Sequence, residues 1–437
     1  MIVIFAVMRK LSFFTENKIA KNASWIIVSR SIQAVLGLIT SMLVARFLGP
    51  SNFGIINYAE SVVAFVVPIM NLGLSNILVQ ELTNHPEEEG KIIGTSILMS
   101  VFSSFFCIGS VITYSLIADA GEPITNLVVG LFSLMLLAQA FELIQYWYQA
   151  KLLSKYMALV SFFAYLIVSI YKFVIVLINA SVSLFAISNS IDYLLIAIAL
   201  LIIYSKMGGQ RLSFSKIVGK RMIGKSKHFI LSSLMITIFA QTDKIMIKLM
   251  INEEAVGYYS AAVRCAALTG FLFTAIIDSF RPVIYQRKKD NQEQAYEIKI
   301  KQLYCVVVYL ALAQSVAMTL LSRFIIQVLY GSDYTSSVLA LRIIVWYTTF
   351  SYIGGIRDIW ILGEEKQKYL FLINSCGALM NVILNLFFIR AWGIYGAALA
   401  SLLTQIFTNI VMTAILGPLR HNNTILLRSL NPKVLFM

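Results

Sequence analysis

Charge is scarce in this sequence. Asp, Glu, Lys and Arg make up 13% of its 437 residues, against 59% hydrophobic. Soluble domains carry roughly a quarter charged residues. A water-facing globular chain is therefore excluded, and the composition is that of a membrane protein. Histidine is nearly missing. His85, His228 and His421 stand far apart near loops, so no metal-ligand cluster is expected. The four cysteines, Cys107, Cys265, Cys305 and Cys376, lie inside apolar runs and none forms a Cys-x-x-Cys pair. They read as small apolar packing rather than disulfides. Of the seven prolines, Pro50, Pro86, Pro123, Pro418 and Pro432 fall in or beside loops, Pro282 falls near a helix end, and only Pro68 is mid-run. That distribution suits a helical chain, because proline removes a backbone donor and clashes with the preceding turn. Walker A, nucleophile-elbow and His-Glu-x-x-His motifs are absent. No cofactor is expected, and ATP bound to this chain is not the expected energy source. A gradient of H+ or Na+ remains, and no feature identifies the ion. Met1–Met8 is apolar but short, with no small-residue cleavage site after it, so no cleaved signal peptide is expected.

Long apolar runs dominate. A helix needs about 20 apolar residues to cross the hydrocarbon core. Twelve candidates follow: 25–45, 55–79, 92–114, 124–148, 157–178, 182–204, 229–250, 258–283, 304–321, 338–362, 369–389 and 394–416. The net charge of +14 is distributed unevenly over the loops between them. With the N-terminus inside, 24 Lys and Arg residues fall in inner segments and only Arg46, Arg323 and Arg390 in outer ones. This is a strong positive-inside bias. It supports the span count, since one missed helix would invert every later loop. Both termini are then cytoplasmic. The longest outer loop, about 322–337, is too short for a domain, so any chemistry belongs within the helices.

A weak internal repeat divides the chain. Val44-Ala-Arg-Phe-Leu-Gly-Pro-Ser-Asn-Phe-Gly54 precedes the second span, and Met246-Ile-Lys-Leu-Met-Ile-Asn-Glu-Glu-Ala-Val-Gly257 precedes the eighth. Each has a basic residue at a helix end, a short loop, a glycine, then small and aromatic residues. The expected organisation is an N-terminal six-helix bundle (1–205), a basic cytoplasmic linker (206–227) and a C-terminal six-helix bundle (228–437). Both halves start inside, so the repeats are parallel about an axis along the membrane normal. Transporters built this way bind substrate between halves and rock them alternately.

Ionisable groups inside a bilayer are costly, and each is a functional candidate by default. The cavity candidates are Arg30, Glu60, Glu142, Lys172, Asp192, Asp243, Lys244 and Arg264. Depth along the outward hairpins matches Arg46 with Glu60, Lys172 with Asp192, and Asp243 with Arg264, each of opposite sign. Internal pairing is the competing reading. Lys248 and Arg342 near outer ends, and Arg281, Arg357 and Asp358 near inner ends, read as side chains that snorkel to the interface. Asp278 and Arg281, three apart, read as a local ion pair. Gln139, Glu142, Tyr146 and Gln149 share one helix face. Asn374, Asn381 and Asn385, and Thr404, Gln405, Thr408 and Asn409, form polar stripes. They suit either a sugar-lined cavity or hydrogen bonds between helices. Pro68, with Asn71 and Gly73, is the hinge candidate.

Several segments resemble the polysaccharide biosynthesis transporters, the Wzx-type O-antigen and repeat-unit flippases. They are Ala45-Arg-Phe-Leu-Gly-Pro-Ser-Asn-Phe-Gly54, Asn71-Leu-Gly-Leu74 with Glu81-Leu82, Gln145-Tyr-Trp-Tyr-Gln149, and Gln241-Thr-Asp-Lys-Ile-Met246 with Val256-Gly-Tyr-Tyr-Ser-Ala-Ala262. Later come Leu329-Tyr-Gly331 with Tyr334, Asn381-Val-Ile-Leu-Asn385 and Gly393-Ile-Tyr-Gly-Ala-Ala398. Each is weak alone; their order across nearly the whole chain is specific. The resemblance implies an all-α, V-shaped exporter fold of the multidrug/oligosaccharidyl-lipid/polysaccharide superfamily. It implies a flippase in the bacterial inner membrane that moves an undecaprenyl-diphosphate-linked oligosaccharide to the periplasmic leaflet. Membrane lipids, and a polysaccharide polymerase with chain-length proteins, are the implied partners; nucleic acid is not. Arg30, Lys172, Lys244 and Arg264 would meet the diphosphate. The alternatives are an ion-coupled drug or metabolite antiporter of the same fold and a membrane polysaccharide polymerase. The polymerase would need a large outer loop.

Overall fold

The computed structural model describes residues 18–436; among residues 18–35 only the side chains of Trp25, Ile32 and Gln33 are described. In chain order the helices are α1 (Lys18–Met70), α2 (Leu78–Asn84), α3 (Glu89–Ala118), α4 (Pro123–Ser133), α5 (Met135–Phe141), α6 (Gln145–Ala150), α7 (Ser154–Leu177) and α8 (Val182–Lys206). There follow α9 (Lys216–Met250), α10 (Glu253–Ala266), α11 (Gly270–Lys289), α12 (Glu293–Leu329), α13 (Ser337–Gly363), α14 (Lys368–Ile406), α15 (Met412–Ile415) and α16 (Arg420–Ser429). No strand occurs among the described residues.

Two of the longest helices each contain a break. At 1.5 Å per residue, the 53 residues of α1 would extend about 80 Å, far beyond a ~30 Å core. The chain breaks at Gly49 (φ 71°, ψ 174°), a left-handed conformation that a Cβ disfavours. In α14 the break is at Gly393 (φ 58°, ψ −135°). The turn there is tight: a Cβ on Gly396 would stand 1.9 Å from the Phe388 carbonyl oxygen. Counting two spans in each of α1 and α14, and one in the pair α10–α11 bent by 43°, the long apolar segments account for twelve crossings. The chain is an all-helical, multi-pass membrane protein.

Several expected loops are helical. α12 continues to Leu329, so Arg323 lies on a helix and the outer connection shrinks to a short turn, Ser332–Tyr334, before α13. The fourth span is in three pieces, α4, α5 and α6, with a single 3-10 turn at Glu142–Ile144 between the last two. Pro68 lies within α1, which stays helical through it; the chain leaves the helix after Met70, at Leu72 and Gly73, both of positive φ.

The chain forms two compact units: residues through Val44 with Val62–Leu234, and Ala45–Ser61 with Met235–Met437. This division differs from one placed in a 206–227 linker. In the first unit that segment is docked along the start of α3. The Ser213 amide donates to the Gly90 carbonyl at 3.2 Å, and the Ser215 amide to Thr95 Oγ1 at 2.9 Å. α9 then begins at Lys216, where Arg221 and Lys225 pair with the buried Glu81 at 3.1 and 2.5 Å. The unit's core gathers Leu74, Leu78, Ile92, Trp147, Tyr148, Leu200 and Tyr204. The Tyr148 hydroxyl donates to the Leu200 carbonyl at 2.6 Å.

In the second unit Ala45–Ser61 is held by its glycine. A Cβ on Gly54 would meet the Glu253 carbonyl oxygen at 1.8 Å; one on Gly257 would meet the Pro50 carbonyl oxygen at 2.0 Å. Pro50 is to Gly54 as Glu253 is to Gly257, so the two copies of the repeat make the same contact on each other. Such reciprocity is the mark of a two-fold relation. Small residues let the two backbones touch, as in close-packed membrane helices. A second core, built on Ile300, Tyr304, Val307, Ile356, Trp360 and Ile373, fills α11–α14.

Candidate functional site

Two polar clusters sit in the second unit. The first is cationic. Asn57 and Glu60, three residues apart, share a face of α1. Both receive Arg264 from the last turn of α10. Arg264 Nη2 donates to Glu60 Oε2 at 2.8 Å and to Asn57 Oδ1 at 2.9 Å, and Nε reaches the same Asn57 oxygen at 3.3 Å. The guanidinium lies 5.7 Å from the Phe53 ring centre. Lys244 of α9 donates to Gln241 Oε1 at 3.1 Å, the oxygen that also accepts from Ser61 Oγ at 3.0 Å. Lys244 is within electrostatic reach of Glu60 and Arg264. Lys244 is also within electrostatic reach of Asp243, the next residue on its helix. The Arg264 and Glu60 side chains are 34% and 42% exposed, so the group is open rather than sealed. A planar guanidinium presents parallel N–H donors to phosphate or carboxylate oxygens.

The second cluster is anionic and closed. Asp243, on α9 beside Lys244, is buried. Oδ1 accepts from Asn385 Nδ2 at 2.6 Å, Oδ2 accepts from the Tyr259 hydroxyl at 2.6 Å, and Ser401 also donates to Oδ2. Asn381 completes the ring. No salt bridge reaches Asp243 among the described residues. A buried carboxylate held by neutral donors from α10 and α14 can take up a proton or a small cation without breaking an ion pair.

Two of the three depth pairings resolve differently from expectation. Arg264 joins Glu60, not Asp243. Arg46 donates to the carbonyls of Gln327 and Val328 at the end of α12. Depth along a helix gives height but not the side it faces. Asp278 and Arg281 do pair, at 3.0 Å. Arg357, expected to snorkel, is buried and turned inward: Nη1 donates to the Thr408 carbonyl at 3.0 Å and Asn409 Oδ1 at 2.8 Å. Arg30 lies outside the described side chains. In the first unit, Asp192 of α8 is within electrostatic reach of Lys172 on α7 and of Glu142 in the 3-10 turn. Asp192 Oδ1 and Gln139 Oε1 are buried there without a hydrogen-bond partner. Asn57, Tyr259 and Ser401 were not singled out by the sequence. Asn57 was recoverable from its i, i+3 spacing to Glu60, and Tyr259 lies in the Val256–Ala262 motif; no local pattern marks Ser401.

Comparison with known proteins agrees with this architecture. The family model for polysaccharide biosynthesis proteins matches residues 19–287, and the MatE model matches 229–387. The putative O-antigen transporter of Escherichia coli (strain K12) is 21% identical over 402 residues, covering 90% of this chain and 95% of that protein. The probable low-salt glycan biosynthesis flippase Agl15 of Haloferax volcanii is 24% identical over 187 residues, 42% of this chain, and the match spans 39% of its own length. Among solved structures, the lipid II flippase MurJ in an inward closed conformation superposes with a TM-score of 0.68 at 16% identity, over 92% of this chain and 90% of that one. The ordered motifs, the twelve crossings and the match over more than half of the sequence place the chain in the polysaccharide biosynthesis protein family of the multidrug/oligosaccharidyl-lipid/polysaccharide exporter superfamily.

Proposed function

We propose that the protein is a flippase that carries an undecaprenyl-diphosphate-linked oligosaccharide from the cytoplasmic to the periplasmic leaflet of the bacterial inner membrane by alternating access. The carrying observation is the cationic cluster, where the Arg264 guanidinium meets Glu60 in a half-exposed setting with Lys244 in electrostatic reach of both. A diphosphate would offer oxygens that match the parallel N–H donors of Arg264. It would exchange with Glu60 for the Arg264 guanidinium, so that the headgroup is held while the lipid tail stays in the bilayer. Lys172, in the first unit, is a candidate cation for acidic sugars. Asp243 is the proposed coupling carboxylate, loading with H+ or Na+ in step with transport. Both termini are assigned to the cytoplasm on the loop charge bias. A polysaccharide polymerase and chain-length proteins would receive the product.

The test is surface display of the repeat-unit glycan in a strain lacking the gene, with and without the gene restored. The expected result is loss of display, accumulation of lipid-linked units on the cytoplasmic face, and recovery on restoration. Units that reach the outer leaflet but stay unpolymerised would sink the flippase reading. The MatE match over 229–387 favours one rival, an ion-coupled antiporter. That rival predicts unchanged display and altered tolerance to toxic small molecules.

A further inference from the structure

Below the Asp243 cluster the second unit contains a cavity of about 240 Å³. Ser351, Asp358, Asn374 and Gln405 contribute polar groups to its lining, with Phe239 and Gly377 beside them. A polar cavity inside a membrane protein is filled with water, which satisfies groups that hydrocarbon would not.

Its position is set by helix geometry. Phe239 precedes Asp243 by four residues on α9. Ser351 follows Tyr347 by four on α13. On α14, Gly377 precedes Asn381 by four and Gln405 follows Ser401 by four. Four residues are about one turn, or 6 Å. On α9, α13 and both limbs of α14, the cavity therefore lies one turn from the Asp243 cluster on the same side. Tyr347 spans the step, within reach of the Asp243 charge and of the Gln405 amide. Asp243 is otherwise faced by Lys244 on its own helix, by Tyr259 of α10, and by Asn381, Asn385 and Ser401 of α14.

The far wall is tied together by hydrogen bonds. The helix after Ile406 widens into a π-helical turn, Phe407–Val411, a form that recurs at functional sites. Arg357 fills the opening by donating to the Thr408 carbonyl and Asn409 Oδ1. Asn409 Nδ2 in turn donates to Gln405 Oε1 at 2.6 Å. Asp358, beside Arg357, keeps a side chain 44% exposed. From Arg357, α13 runs six residues to Gly363; Asn374 lies six residues into α14 from Lys368. The cavity is thus within ~9 Å of the turn at 364–367. Lys366 and Lys368 mark that turn as cytoplasmic.

We infer that this cavity is a hydrated vestibule through which a small monovalent cation, H+ or Na+, passes between the cytoplasm and Asp243. The inference rests on the coupling role and topology proposed above, but not on the glycan. Gly354 and Gly377 keep the wall closed behind it. A Cβ on Gly354 would stand 2.5 Å from Asn409 Oδ1, and one on Gly377 2.6 Å from Thr408 Cγ2. Gly355, which also lines the cavity, is different: its Cβ would meet only Ile277 Cδ1, at an ordinary 3.5 Å.

The experiment uses the full chain with its four native cysteines replaced. Asn374→Cys and Gly355→Cys are introduced separately, so that one failing to fold leaves the other. Each is treated with a membrane-impermeant cationic methanethiosulfonate in inside-out and right-side-out vesicles. In purified protein, the infrared band of the Asp243 carboxyl, assigned by its loss in Asp243→Asn, is followed after a step from H2O to D2O, or from choline to Na+. Modification from the inside-out face alone is expected, and the modified protein should answer severalfold more slowly to whichever step moves the band. A response to D2O identifies the proton, and a response to Na+ the metal ion. Modification from the outer face, modification in neither vesicle, a band that answers neither step, or an unchanged rate after modification would each overturn the vestibule. None of these readouts needs the glycan, so they stand apart from the display test.

Discussion

Adding a single methyl group at Gly54 or Gly257 tests the reciprocal contact on which the repeat is built. In Gly257→Ala the new Cβ would stand 2.0 Å from the Pro50 oxygen, and in Gly54→Ala 1.8 Å from the Glu253 oxygen. Ordinary contact begins near 3.4 Å, so either substitution must part the two backbones by about 1.5 Å. The obstacle is a peptide carbonyl, and no side chain can swing aside. Overpacking of this kind costs about 1–3 kcal/mol. The second methyl enters a crossing already opened by the first. The double variant should therefore cost about as much as the worse single one, leaving a coupling of about 1–2 kcal/mol in the cycle. The assay is thermal unfolding in detergent, read by a thiol-reactive dye, because Cys265 and Cys305 are buried and react only as the fold opens. The singles should melt lower and the double should fall no further. Neutral singles, or strict additivity, would show that the two glycines do not face each other and that the two-fold reading is mistaken.

Three further outcomes follow from the clusters. Arg264→Lys keeps the charge but loses the two-pronged contact to Asn57 and Glu60; glycan display should fall about tenfold, as for loss of a charge-assisted bond worth ~1.5 kcal/mol, and Arg264→Gln further. Full display in both would remove Arg264 from the transport path. Asp243→Asn keeps the shape and should melt close to the parent while display is lost; Asp243→Ala removes the acceptor of one Asn385 N–H and of the Tyr259 hydroxyl and should lose about 1–3 kcal/mol. If the two variants behave alike in both assays, Asp243 is only structural. In the first unit, just before α3, the hydrogen bond from Arg221, 2.9 Å away, holds the Glu88 carboxyl below its ordinary value of 4.5. A depressed carboxylate stabilises above its ordinary value, and the contribution is lost as pH falls through the folded one. The melting difference between the parent and Glu88→Gln should be present at neutral pH and vanish in acid; a gap that persists in acid would contradict the pairing.

The sequence by itself determined the solvent and the count of crossings. Twenty-residue apolar runs have one stable form in a bilayer, and the bias of Lys and Arg over the loops orders them. It also showed the repeat, because Gly54 and Gly257 stand where two backbones touch and a side chain cannot fit. The ordered motifs carried the family. What they could not carry was azimuth. Hairpin depth matched Asp243 with Arg264, but helix rotation turned Arg264 onto Glu60 and Asn57 and left Asp243 to Tyr259, Ser401 and Asn385. A snorkelling reading of Arg357 was reasonable from its place near a helix end, yet a π-helical turn fifty residues later offered it a carbonyl. The vestibule likewise exists only because α9, α13 and both limbs of α14 are held in one register. A sequence records spacing along each helix, and only packing decides which neighbour, at a given height, each side chain meets.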